Sequence, residues 1–316
     1  MWKINRPEMW RQRLAVAVFI CVATGCGAIA GPFELTEITP GVYVHQGVTA
    51  MMTEENLGGI ANLGAVVGES AVAIIDPGGS ALEGAAFREG LAARTSTPIK
   101  YVIYTHAHPD HVFGAAAFAG PGVVFVGHRN LPRALAARGP HYLESFRPAM
   151  GTALGGVKII PPELTVDDVL TLDLGGRRVR LTAWRTAHSD CDLTVLDEKG
   201  GTLFAGDLLF IGHVPVVDGS LLGFLDVIDR LRAIPAARVV PGHGPAVAPW
   251  PEALDNQRAY LDRLTADLRA AIRKGETLDA ASKTVGAAER PKWRLFDDYH
   301  PRNATAGFAE LEWETP

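Results

Sequence analysis

Cysteine is scarce in this chain, three among 316 residues, and two of them, Cys21 and Cys26, fall in the first thirty. A disulfide framework is therefore excluded as the source of stability, and Cys191 is left as a lone thiol. Positive charge is not in excess either. The formal net charge of −5 argues against nucleic acid as a partner, because such proteins present a basic face. The apolar run Leu14 to Ala23 falls well short of the ~20 residues that a permanent membrane helix needs, and nothing in the middle of the chain reads as a linker. With 47% hydrophobic residues, there is material for one large core, so residues 31–316 are expected to form one domain.

The first thirty residues carry the marks of an export signal. Lys3, Arg6, Arg11 and Arg13 make a positive start, Leu14 to Ala23 a short apolar stretch, and Ala28-Ile29-Ala30 a small-x-small cleavage site. A second exit exists at Ala23-Thr24-Gly25-Cys26, which resembles a bacterial lipoprotein box with its signal ending at residue 25 and lipid on Cys26. Either exit implies the periplasm, with lipid at Cys26 as the only expected tie to a membrane.

What is abundant is histidine in one place. Thr105-His106-Ala107-His108-Pro109-Asp110-His111 follows the apolar run Ile99 to Tyr104 and puts three imidazoles and one carboxylate within six residues. These groups cannot all face a packed core without partners, and His nitrogen with Asp oxygen suits zinc-like metals. Alternate residues of an extended segment project to one side, so His106 and His108 can reach one ion. Asp110 and His111, past the turn begun by Pro109, point to a neighbouring position.

The rest of the chain repeats the theme of a strand handing a polar residue to a loop. Two short strands are expected between Phe33 and Val48, a mobile loop at Met51 to Gly59 that walls a pocket, and a hairpin of Ala61 to Val67 with Ala71 to Ile75. Asp76 ends that hairpin and can support the histidine loop, since a ligand histidine usually gives its other N–H to an acceptor. Ser80-Ala81-Leu82-Glu83 is a capping box opening a helix, Val112 to Phe118 begins another, and Arg129 to Met150 reads as helix broken at Gly139-Pro140. His128 and His141 lie there without ligand spacing and are read as structural or exposed. Further strands end at His188, at Gly206-Asp207 and at Pro241-Gly242-His243-Gly244. Leu254, Leu261, Leu264, Leu268 and Ile272 mark the core face of a long helix, and an aromatic tail from Trp293 to Trp313 docks on the body. Two similar halves suggest two sheets packed face to face with helices outside.

Taken together, Asp76, His106-x-His108-x-Asp110-His111, His188, Asp207 and His243 resemble the ordered motifs of the metallo-β-lactamase superfamily, over roughly Val42 to Ala246. The resemblance implies an αββα sandwich of two mixed sheets. It implies one metal on His106, His108 and His188, a second on Asp110, His111 and His243, and Asp207 bridging them. True β-lactamases of this fold put Cys or Ser where Asp207 stands, whereas glyoxalase II-like hydrolases have Asp. The stretches Thr186 to Leu193, Gly206 to Phe210, His213 to Ser220, Tyr299 to Asn303 and Glu310 to Glu312 are similar to the quinoprotein relay system zinc metallohydrolases and to exported hydrolases linked to sulfur oxidation.

The expected function is an exported dinuclear zinc hydrolase, in which a hydroxide shared by two Zn2+ ions attacks the carbonyl of a thioester, ester or lactone. Asp110 and Asp207 are its expected catalytic carboxylates, and His213, Asn62, Tyr299 and His300 are candidates for the substrate pocket. Cys191 is read as a buried small hydrophobe rather than a ligand. The alternatives are β-lactam hydrolysis, a persulfide dioxygenase-like enzyme with one Fe2+, and a non-enzymatic periplasmic accessory of a quinoprotein or sulfur carrier. The two export exits separate by intact mass. Cleavage after Ala30 gives a soluble chain beginning at Gly31, and the lipoprotein route a heavier membrane-fraction chain beginning at a lipidated Cys26.

Overall fold

The computed structural model describes residues 33–314; the export signal, both of its exits and Cys26 lie outside the described residues. The first half builds a seven-stranded sheet from β1 (Thr36–Thr39), β2 (Val42–His45), β3 (Leu63–Val67), β4 (Val72–Ile75), β5 (Ile99–Ile103), β6 (Val124–His128) and β7 (Leu164–Val166), in sequence order. Its first four strands pair antiparallel and the last four parallel. The second sheet has the order β13-β12-β11-β10-β9-β8, from β8 (Val169–Asp173), β9 (Arg178–Ala183), β10 (Leu193–Asp197), β11 (Thr202–Phe210), β12 (Arg238–His243) and β13 (Ala248–Pro249). Within it only β11 and β12 run parallel.

Period-two alternation with both faces apolar explains the layering. On β4, Ala73 and Ile75 join Val179, Leu181, Val195 and Phe204 in a core between the two sheets, while Val72 and Ile74 turn to the opposite side. There they meet Phe87 and Leu91 of α1 (Ala81–Ala92). The same layer contains the short α2 (Pro109–Val112), then α3 (Leu131–Ser145) and α4 (Arg147–Met150). The second sheet turns Leu203, Ala205 and Val239 outward against α5 (Leu221–Leu231) and α6 (Asp255–Arg273), followed by α7 (Leu278–Thr284) and α8 (Phe296–Leu311). The result is a mixed α/β sandwich of helices, sheet, sheet and helices.

Several local expectations are corrected. Helix α3 runs unbroken through Gly139-Pro140; Pro140 removes one backbone hydrogen bond, and Ile159 packs over Gly139. The helix expected from Val112 is a turn, α2, followed by a 3-10 segment at Phe113–Ala117. The loop 51–59 is fastened rather than free: Asn56 bonds back to Thr53 and Met51, and Glu54 binds Thr152. The tail is the sixteen-residue α8, which buries Phe296, Phe308 and Leu311 but leaves Trp313 exposed.

Asp207 does not follow a strand; it lies inside the nine-residue β11. Gly206, at φ +52, takes the left-handed kink there, and the register with β12 shifts at this point. The ladder to β10 ends at Phe204, so the outer half of β11 needs another partner. Gln257 of α6 supplies it, accepting from Phe210 N (2.8 Å) and donating to Leu208 O (2.9 Å) while fully buried. Gln257→Leu strands both backbone groups and is expected to lower unfolding free energy by about 2–4 kcal/mol, read by urea denaturation.

Candidate metal centre

The parallel pairs bring the polar residues together. Adjacent β4 and β5 place Asp76 beside Thr105, and adjacent β11 and β12 place Asp207 beside His243. Two stitches then close this edge of the sandwich: Leu193 N donates to Thr105 O (2.7 Å), and Asn62 N donates to Gly242 O (2.8 Å). Gly242 has to be glycine, because a Cβ there would lie 2.0 Å from Asp207 Oδ1.

The converging groups form two sets, His106, His108, His188 and Asp207 in one and Asp110, His111 and His243 in the other. All five imidazoles are oriented by their outer nitrogen. His106 Nδ1 meets Thr105 Oγ1 at 3.0 Å, His111 Nδ1 meets Asp76 Oδ2 at 2.8 Å, and His188 Nδ1 meets Val216 O at 2.8 Å. His243 Nδ1 meets Ile60 O at 3.0 Å, and His108 is reversed, with Nε2 on Asp218 Oδ2 at 3.1 Å. Thr105 Oγ1 itself donates to Asp76 Oδ2 (2.8 Å), so it accepts from His106. In every case the outer nitrogen must be the donor, so in the neutral ring the inner one carries a lone pair.

That chemistry sets a test for metal binding. His108 Nδ1 is 3.0 Å from His106 Nε2 and 2.9 Å from His188 Nε2, which brings lone pairs together with carboxylate oxygens. Asp207 Oδ2 is 3.6 and 3.4 Å from His106 and His188, and Oδ1 is 3.2 and 3.4 Å from His111 and His243. His111 Nε2 and Asp207 Oδ1 are both buried without a hydrogen bond. The two lie 3.2 Å apart without a hydrogen bond between them. A convergence of acceptors of this kind fits cations.

Charge follows the same division. Burial holds His106 below its ordinary value and His188 at about 4, against the pull of Asp207. At His111 and His243 burial acts in the same direction, but Asp110 and Asp207 outweigh it and raise both, His243 to about 9. Burial also works against Asp110 and Asp207, yet the surrounding imidazoles keep both carboxyls well below the usual range.

A cavity opens over this edge, walled by Met51, Met52, Tyr142, Phe146, Phe210 and Val216, with His213, Tyr299 and Arg302 also on its lining. The larger groove on the outer face of β9 and β10, lined by Trp184 and Arg180, includes none of these ligands. His213 stacks on His243, with centroids 5.1 Å apart, and its Nδ1 donates to Val214 O (2.5 Å).

The sequence pattern of the Metallo-beta-lactamase superfamily matches residues 57–243. The chain belongs to that superfamily. Among solved structures, it is similar to the stereoselective inverting sec-alkylsulfatase from Pseudomonas sp. at 17% identity and TM-score 0.69, over 89% of this chain and 50% of that one. It is also similar to the metallo-beta-lactamase from Pontibacter korlensis (20%, TM-score 0.58, 72% and 98%). A third is the metallo-beta-lactamase FIM-1 from Pseudomonas aeruginosa in its mono-zinc form (21%, TM-score 0.56, 73% and 96%). This chain spans half the length of the alkylsulfatase. The neighbours, all at 21% identity or below, share its fold.

Two of the residues expected in the pocket of this superfamily member lie elsewhere. His300 is buried between Tyr260 and Val285, bonded at 2.8 Å to each, because its neighbour Tyr299 takes the cavity-facing side of α8. Asn62 donates to Pro241 O (2.8 Å) in β12, and its Oδ1 accepts from Gly47 N (3.1 Å), so it braces the strand that carries His243 from behind. Cys191 is buried beside Ser189, outside both ligand sets. His128 is bonded to Trp184 O and Asn130 N, and His141 is exposed. Spacing does not single out Asp218, Tyr142 or Arg302; only Asp218 and Arg302 fall in the similar stretches 213–220 and 299–303, and nothing in the sequence marks Tyr142. Asp76→Ala removes the acceptor of His111 and of Thr105 and is expected to weaken zinc affinity about 10- to 100-fold, measured by chelator competition.

Proposed function

We propose that this chain is a dinuclear zinc hydrolase of thioesters, esters or lactones, working in the periplasm beside a quinoprotein or sulfur-carrier system. The observation that carries the reading is Asp207, whose two oxygens face different histidine sets. His106, His108 and His188 would hold one ion, Asp110, His111 and His243 the other, and Asp207 both. An aspartate at that position also separates the site from dedicated β-lactamases and supports a glyoxalase II-like chemistry. Support for the periplasm comes from the export pattern of residues 1–30.

Zinc, when bound, supplies Lewis acidity and lowers the pKa of the water it holds towards neutrality. The chain supplies the rest. Asp110 and Asp207, both ionised and buried, would balance the charge of bound ions and help hold them. Phe210 stacks on the His243 ring at 5.2 Å and 6°, and with Met52 it keeps bulk water from the reacting bond, which strengthens every electrostatic contact there. His213 commits its N–H to Val214 O, so it presents an acceptor to the cavity and not a proton. Burial, and next the charges of Asp110 and Asp207, raise the Tyr299 phenol, which leaves it a neutral donor for charge developing on the substrate. A good leaving group needs no further proton, and this favours thioesters and activated esters over amides.

Metal analysis after native purification is expected to find about two zinc ions per chain, and His108→Ala and Asp207→Ala to abolish turnover across a panel of thioester, lactone, alkyl sulfate and chromogenic cephalosporin. One iron with persulfide-dependent oxygen uptake, or full activity in both variants, overturns the reading. Tyr299→Phe is expected to lower kcat roughly a hundredfold with zinc content unchanged.

A further inference from the structure

We propose that Arg302 is the specificity-determining residue of the cavity, receiving the anionic group of a substrate whose remaining body is apolar. The inference rests on the hydrolase reading above and names its substrate class. Leaving aside the ligand groups, the described lining is dominated by Met51, Met52, Phe146, Phe210 and Val216, and Arg302 is its one permanent cation. An apolar pocket with few polar anchors selects by those anchors.

Arg302 is not there merely to neutralise Asp218. The Asp218 carboxylate is already engaged through Oδ2 by His108 (3.1 Å) and by Arg138 Nη1 (3.3 Å), and Arg302 Nη2 takes Oδ1. Two guanidinium groups thus share the one Asp218 carboxylate. An exposed ion pair by itself contributes only about 0–1 kcal/mol. Its effect here is to hold the guanidinium in place by one nitrogen, while the N–H groups of the other two stay free for a planar or tetrahedral oxyanion.

Placement supports the same role. Arg302 lies one helical turn from Tyr299 on α8, and both line the cavity, so a ligand on the guanidinium sits beside the phenol. The side chain of Arg302 is 58% exposed and that of Asp218 15%. The cation is therefore at the mouth, with the ligand sets below it. An elongated amphiphile can place its anion at the mouth and its apolar body along the methionine and phenylalanine wall. Arg302 also lies beyond residues 57–243, where the superfamily pattern ends, so the anchor stands on the C-terminal helix and not in the matched region.

Isothermal titration of the zinc-loaded protein at low salt tests the proposal with three chains of equal length: a fatty carboxylate, an alkyl sulfate and a fatty primary amide. The anions are expected to bind roughly tenfold or more tighter than the amide, and whichever of the two binds tighter identifies the oxyanion. Arg302→Met should bring anion and amide to near parity, Arg302→Lys should keep part of the preference, and Arg138→Met, which removes the other partner of Asp218, should keep it. Near-equal affinity for anion and amide in the wild type, or a preference undiminished in Arg302→Met, overturns the inference. If Arg302→Met does not fold, the same comparison between wild type and Arg302→Gln decides. Binding is read without turnover, so an inactive protein that still discriminates overturns the hydrolase reading alone, and an active one that does not discriminate overturns this inference alone.

Discussion

The structure depends on one arrangement: five imidazoles, each held by its outer nitrogen so that its inner lone pair faces the same small volume as two carboxylates. Asp76, Thr105, Ile60, Val216 and Asp218 supply the outer partners, and three of the five are backbone or hydroxyl oxygens that cost no extra charge. Bringing so many acceptors together is unfavourable by itself. It is tolerated because the strands that carry them are fixed elsewhere, and the set is of a kind that cations can satisfy.

The sandwich provides that fixation. Its middle core is made by alternation on both sheets, and the bonds from Leu193 to Thr105 and from Asn62 to Gly242 tie the sheets at the edge where the ligands emerge. Asp76 shows how closely the two levels are joined. It ends β4 in a left-handed conformation, φ 55, which is uncommon for a residue with a side chain. Its carboxylate takes Thr105 N (2.7 Å), Thr105 Oγ1 and His111 Nδ1 together, and these bonds hold the strained backbone in place.

The C-terminal helix turns a metal site into a pocket. Asn303 accepts from Val217 N (2.9 Å) and donates to Pro215 O, and Glu310 accepts from Ser220 Oγ (2.7 Å) and Leu221 N (2.6 Å). The segment carrying Asp218, and through it the orientation of His108, is thus held by α8. The same helix presents Tyr299 and Arg302 to the cavity. The orientation of His108 and the lining of the cavity are thus linked through one element outside the 57–243 match.

Much of this was legible from residue order. The histidine loop, the later His188, Asp207 and His243, and the two-sheet architecture all follow from ligand-type residues placed at or near the ends of apolar strands. Helix boundaries were less legible: Pro140 sits inside α3, where packing outweighs a local breaker, and the segment after Val112 tightens into a 3-10 turn. His300 and Asn62 were misplaced because which side of a helix or loop faces a cavity depends on what packs behind it. The partner of His108 is 110 residues away at Asp218, and no local pattern announces such a pair. Residue types and their spacing by themselves determined the kind of chemistry and the strands that carry it. Which nitrogen of each ring faces inward, which side chains line the cavity and where its positive charge lies were decided only by tertiary packing, because these depend on contacts between segments that are distant in the chain.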